Sequence, residues 1–143
     1  MKHFSTKAAI VAASFFLATS AFAQTGETPA ALEGAKTVSA SEAKSLLDKG
    51  AMPLDVRRRA AYVEGRLPKA KSISSLQDSS SKEFAPEAFG PKKDAPLLVY
   101  GHGSDGWSAV SAVNGAVKLG YTNVHWLRGG WTEWSKAGLP TEQ

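Results

Sequence analysis

Residues 96–120 read as one uninterrupted strand, turn and helix, and this unit most restricts the fold. The run Pro96-Leu97-Leu98-Val99-Tyr100 is the clearest strand in the chain. Gly101 to Gly106 is a glycine-rich turn. After it, Ala109, Ala112, Val113, Ala116 and Val117 recur at i, i+3, i+4, i+7 and i+8, which is one apolar helical face. Gly120 then ends the helix. A strand feeding directly into an amphipathic helix is the building unit of a parallel sheet covered by helices.

The rest of the chain repeats the alternation. Thr37-Val38 predicts a short first strand. Ser39-Ala40-Ser41-Glu42 is a capping-box pattern, with Ala43, Leu46 and Leu47 at helical spacing behind it and Gly50 as a stop. Met52 to Val56 fits a buried strand, and Arg57 to Gly65 a loop with a short helix. Lys71 to Ser74 is a further strand. Ser75 to Lys93 is a polar loop with a helical turn around Phe84 to Phe89. Asn123 to Leu127 is the last strand, Gly129-Gly130 a turn, and Trp131 to Lys136 a terminal helix.

The first 23 residues read as a signal peptide. Lys2 and Lys7 precede the uncharged apolar stretch Ala8 to Leu17, and Ala21-Phe22-Ala23 is an A-x-A cleavage site. The stretch is shorter than the roughly 20 apolar residues a membrane span needs. Cleavage would leave 120 of the 143 residues, starting at Gln24, in the periplasm or outside the cell. Gln24 to Lys36 is small and polar and predicts a flexible lead, which places the domain at 37–143.

The chain contains no cysteine. That excludes disulfides, a thiolate nucleophile, a redox dithiol and a cysteine metal site. The formal net charge of +4 falls by two without Lys2 and Lys7, so no nucleic-acid or membrane partner is expected of the remainder. The tight basic cluster is Arg57-Arg58-Arg59, which reads equally as a solvated loop or an anion contact.

Three stretches together resemble the rhodanese family. The first is Leu54-Asp55-Val56-Arg57, then Tyr62, Glu64-Gly65-Arg66-Leu67-Pro68 and Ala70. The second runs from Leu97 to Gly120. The third is Gly120-Tyr121-Thr122-Asn123-Val124, Leu127, Gly129-Gly130-Trp131 and Trp134, closing on Ala137-Gly138-Leu139-Pro140. The resemblance covers most of Val38 to Pro140. It implies an α/β fold, a three-layer α/β/α sandwich with a mostly parallel central sheet.

In that family a cysteine in the loop after the central strand carries sulfane sulfur as a persulfide, and the thiolate is the reactive form. Here the loop reads Gly101-His102-Gly103-Ser104-Asp105-Gly106-Trp107-Ser108. It is similar to the C-x-G-x-x-C-W loop of exported rhodanese-like proteins, with Gly103 and Trp107 matching and glycine at both cysteine positions, Gly101 and Gly106. Counting back from Gly120 by the commoner loop length puts the cysteine at Gly103 instead, also glycine. Arg66 stands where the family often has histidine and Lys69 where it often has glycine, which adds positive charge at the expected pocket rim.

Sharper readings of the loop fare worse. Gly101, Gly103 and Gly106 spell G-x-G-x-x-G, but Lys118 to Arg128 lacks the acidic residue of a dinucleotide site. Beyond the signal, His102 and His125 are the only histidines, too few for a metal set, and His125 reads as structural. A triad of Ser104 or Ser108 with His102 and Asp105 would come from one short loop, whereas triads are assembled from distant positions. Of the tryptophans, Trp126, Trp131 and Trp134 read as packing, and Trp107 as lining the pocket mouth.

The expectation is therefore a non-catalytic binding or accessory module with no cofactor and no metal. Its ligand would be a small anion such as sulfate or thiosulfate, or a periplasmic protein partner. It would sit at Gly101 to Ser108, with Arg57, Arg58 and Arg66 as candidate anion contacts. The alternative is a sulfur- or phosphoryl-transfer enzyme using a residue such as His102.

Overall fold

The computed structural model describes residues 26–143. The expected signal peptide lies outside the described residues, as do Gln24 and Thr25 of the expected lead. No described helix is long and apolar enough to cross a membrane.

The strands are β1 (Ala35–Val38), β2 (Met52–Asp55), β3 (Lys71–Ser72), β4 (Leu97–Tyr100) and β5 (Val124–Leu127). The helices are α1 (Ala40–Asp48), α2 (Arg59–Glu64), α3 (Trp107–Lys118) and α4 (Gly130–Lys136), with 3₁₀ turns at Ser74–Leu76 and Pro86–Phe89. The strands form one sheet in the order β1-β5-β4-β2-β3, and every pairing is parallel. β1 starts two residues earlier than its apolar pair predicts, because Ala35 and Lys36 pair with Val124 and His125 of β5.

Central β4 explains the layering. Its four side chains are all buried and alternate between the two faces. Leu97 and Val99 join Leu54, Val124 and Trp126 beneath Ala109, Ala112, Val113 and Ala116 of α3. Leu98 and Tyr100 join Val38 and Leu127 on the other face, under Ala43 of α1 and Trp134 of α4. One apolar strand thus serves two cores, which is why it reads as a continuous run rather than an alternating one. Truncating Leu98, fully buried, to alanine would cost about 2–5 kcal/mol.

The helix starts follow local chemistry. Ser39 Oγ accepts from the Glu42 N–H and Glu42 Oε1 accepts from the Ser39 N–H, both at 3.2 Å, which completes the capping box. α3 has no side-chain cap and opens on Gly106. Its Trp107 N–H donates to Asp105 O at 3.0 Å and its Ala109 N–H to Gly106 O at 3.1 Å, while the Ser108 N–H meets no described backbone carbonyl.

Candidate functional site

Ligands of open parallel sheets bind beyond the carboxyl ends of the strands. At the ends of β2 and β4 lies a cleft of about 380 Å³. One wall is Val56, Arg57 and Arg58; the other is Gly101, His102, Asp105, Gly106, Trp107 and Ser108. Six of the eight expected loop residues therefore line it. Gly103 and Ser104 do not. The Cβ that Gly103 lacks would face Thr132 Oγ1 at 3.5 Å, and Ser104 points to Glu27.

Backbone contacts hold the loop on its inner side. The Trp131 N–H donates to Gly101 O and the Thr132 N–H to His102 O, both at 2.9 Å, and Thr132 Oγ1 donates to the same carbonyl at 2.8 Å. This approach depends on Gly130. With φ of 57°, a Cβ there would lie 2.4 Å from Gly101 O. Gly106 closes the loop with an N–H bond to Gly103 O at 3.0 Å, and a Cβ on it would meet the same oxygen at 2.9 Å. A cysteine at 106 would thus require the loop to shift. Gly101 differs. Its missing Cβ would meet Val56 and Ala109 at 3.4 and 3.5 Å, which is ordinary contact. Gly101 lines the cleft with room for a Cβ, and among the described residues the N–H groups of His102, Gly103, Ser104 and Asp105 meet no backbone carbonyl.

The three candidate arginines part company. Arg57 is a correction to the expectation of a free anion contact. Its Nη2 donates to Asp55 Oδ2 at 2.8 Å and to Gly65 O at 2.6 Å, and its Nε to Asp55 Oδ1 at 3.1 Å. The pair is almost wholly buried, and the guanidinium lies 4.6 Å from the Trp131 ring centroid. Tyr100 donates to Asp55 Oδ2 at 2.6 Å and accepts from the Leu67 N–H at 3.2 Å. Burial first, then the Asp55 charge, pushes the Tyr100 phenol far above its ordinary value, so it stays a donor. The Asp-Val-Arg run of the sequence is thus a buried brace between β2, β4 and the α2 end. Arg58, next in the chain, is exposed on the cleft wall.

Arg66 is a second correction. It lines no part of the cleft; its backbone bridges Glu142, and its side chain lies 4.5 Å from the Tyr62 ring and donates to Tyr62 O. Lys69 likewise lines a different hollow, and its φ of 62° explains why glycine suits that position.

No triad forms in the loop among the described hydrogen bonds. Ser104 Oγ donates to Glu27 Oε1 at 3.0 Å rather than to His102. His102 and Asp105 are exposed and share no bond. No described cluster of His, Asp and Glu could hold a metal ion. His125 sits in β5, with Nε2 donating to Asn123 Oδ1 at 2.8 Å and Nδ1 buried without a partner. Burial, then the Lys36 charge, lowers its pKa.

The stretch expected as a flexible lead touches the loop directly from Gly26 onward. Trp107 Nε1 donates to Gly26 O at 3.0 Å, and the Thr28 N–H to Ser104 O at 2.9 Å, reinforced by Thr28 Oγ1. Arg128, at the end of β5, donates to Pro29 O, Thr28 O and Glu27 Oε2. Polar composition gave no sign of this, because the partners Ser104, Trp107 and Arg128 lie far away in sequence.

A family model described as the rhodanese-like domain matches residues 39–137. Among similar solved structures, the Alr3790 protein of Anabaena sp. is 31% identical over 73% of this chain and 90% of its own, with a TM-score of 0.57. The 3-mercaptopyruvate sulfotransferase SseA of Escherichia coli is 27% identical over 75% of this chain and 50% of its own, at 0.61. A rhodanese-related protein of Thermoplasma volcanium, at 22% identity, 75% and 97% coverage and 0.56, shares the fold. Among curated proteins none matches the chain. The matched span takes in every described helix and four of the five described strands, including the central strand and the loop that carries the cleft, and the chain belongs to the rhodanese-like domain family.

Proposed function

We propose that this domain is a non-catalytic binding module whose cleft takes a small anion, sulfate or thiosulfate in the first instance. The observation that carries the reading is Gly101 on the cleft wall. A Cβ fits there in ordinary contact on the cleft wall, in a chain with no cysteine to place a thiol on it. Loop N–H groups free of backbone partners, the start of α3 and the exposed Arg58 favour negative charge there. Asp105 on the same wall opposes it. The signal pattern supports placing the module in the periplasm or outside the cell, as does the loop's likeness to the exported C-x-G-x-x-C-W type. Catalysis through His102 has less support, since Ser104 is held by Glu27 and not by the histidine.

A thiosulfate-to-cyanide sulfur transfer assay on the chain from Gln24, alongside Gly101→Cys, tests this. The expected result is an inert wild type and a gain of activity in the variant. Turnover by the wild type above background would overturn the reading and direct mutagenesis to His102.

A further inference from the structure

Trp107 has two roles. Its side chain walls the cleft, and its indole N–H is bonded to Gly26 O at 3.0 Å. The loop's inner side is fixed by α4 backbone, but its outer side is held by Gly26 to Pro29. Glu27 bridges Ser104 Oγ and Arg128, Thr28 binds Ser104 O, and Arg128 ties down the Thr28 and Pro29 carbonyls. Thr28 is the one buried residue of these four; the other three are exposed and in no helix or strand. Exposed segments outside helices and strands are those that open locally at the lowest cost.

We propose that Gly26–Pro29 is a clasp that fixes Trp107 and so sets the width of the cleft, with Glu27, Thr28 and Arg128 as positioning residues. Its effect on ligand rests on the anion-binding reading; the clasp itself does not. Closed, it preorganises one cleft wall, so opening weakens binding.

The test is the indole N–H signals of ¹⁵N-labelled protein, with Trp107→Phe assigning the peak. Trp134, whose Nε1 donates to Pro140 O at 2.9 Å on the opposite core, is the internal reference. In Arg128→Ala the Trp107 indole N–H is expected to exchange roughly tenfold faster, the size of one net hydrogen bond, with Trp134 unmoved. An unchanged Trp107 signal, or equal acceleration at Trp134, overturns the clasp. If Arg128→Ala fails to fold, Glu27→Ala combined with Thr28→Val carries the same test. Thiosulfate titration adds a second arm. Weaker binding by Arg128→Ala supports the coupling, and equal affinity with a released Trp107 overturns it. A wild type that binds no thiosulfate overturns the anion reading alone, and the indole signals still decide the clasp.

Discussion

The guanidinium of Arg57 and the carboxylate of Asp55, two residues apart in the chain, meet at 2.8 Å with neither exposed to solvent by more than a few percent. The pair is held from two further sides, by the Tyr100 hydroxyl and the Gly65 carbonyl. Every charge in it has a partner, which is the condition under which a buried ion pair can persist.

Removing one partner leaves the other charge buried alone. Arg57→Ala is expected to destabilise the domain by about 3–5 kcal/mol. Arg57→Lys should also be destabilising, since an ammonium cannot reproduce the two-pronged contact. Urea denaturation of the three proteins checks this. A loss no larger than that of a surface substitution would show that the pair is not a brace.

Two glycines of the site should respond in opposite ways to alanine. Gly101→Ala places its Cβ in ordinary contact with Val56 and Ala109 and should keep the fold. Gly130→Ala drives a Cβ to 2.4 Å from Gly101 O at a φ that side chains avoid, and should cost several times more stability. Thermal melts of the two variants settle the order.

Lys69 sits at φ of 62° without the freedom of glycine. Lys69→Gly is expected to raise stability by up to about 1 kcal/mol, the strain of a left-handed residue less the added freedom of the unfolded chain. A lowered denaturation midpoint would count against this.

His125 links stability to pH. Its bare Nδ1 is buried, so the protonated ring would carry a donor with no acceptor, and its folded pKa lies below the ordinary 6.5. The unfolded chain therefore binds the extra proton first. Stability is full above 6.5 and declines as pH falls from there toward the depressed folded value. Asp78, whose pKa is lowered by the Ser81 and Ser80 N–H groups, acts only below its ordinary 3.8, so the windows are separate. His125→Gln should flatten melting temperature against pH between 7 and 5; an unaltered slope would assign that dependence elsewhere.

Asp105 stands on the cleft wall beside the free loop N–H groups. Asp105→Asn removes a like charge and is expected to tighten thiosulfate binding several-fold at low salt. Isothermal titration measures it, and unchanged or weaker binding would argue against an anion at this loop.

The fold was legible wherever a pattern had one physical cause. The Ser39 to Glu42 capping box and the α3 face Ala109 to Val117 map directly onto bonds and core contacts. The glycine loop was legible as a loop from its composition, although of its three glycines only Gly106 is required by a close approach. What stayed hidden depended on partners distant in sequence. Nothing in the Arg57-Arg58-Arg59 cluster distinguishes the buried Arg57 from its exposed neighbours until Asp55, Gly65 and Trp131 are placed around it. Nothing marks Gly26 to Pro29 as more than a lead until Arg128, about a hundred residues on, reaches back to it.

The Trp131 and Thr132 contacts to the Gly101 and His102 carbonyls use main-chain atoms of the loop and never touch the side chain at position 101. The mould is therefore built independently of whatever residue it presents. A side chain can be removed or added at this point without rebuilding the contacts that hold the loop. In such a scaffold, loss of chemistry and loss of shape are separate events.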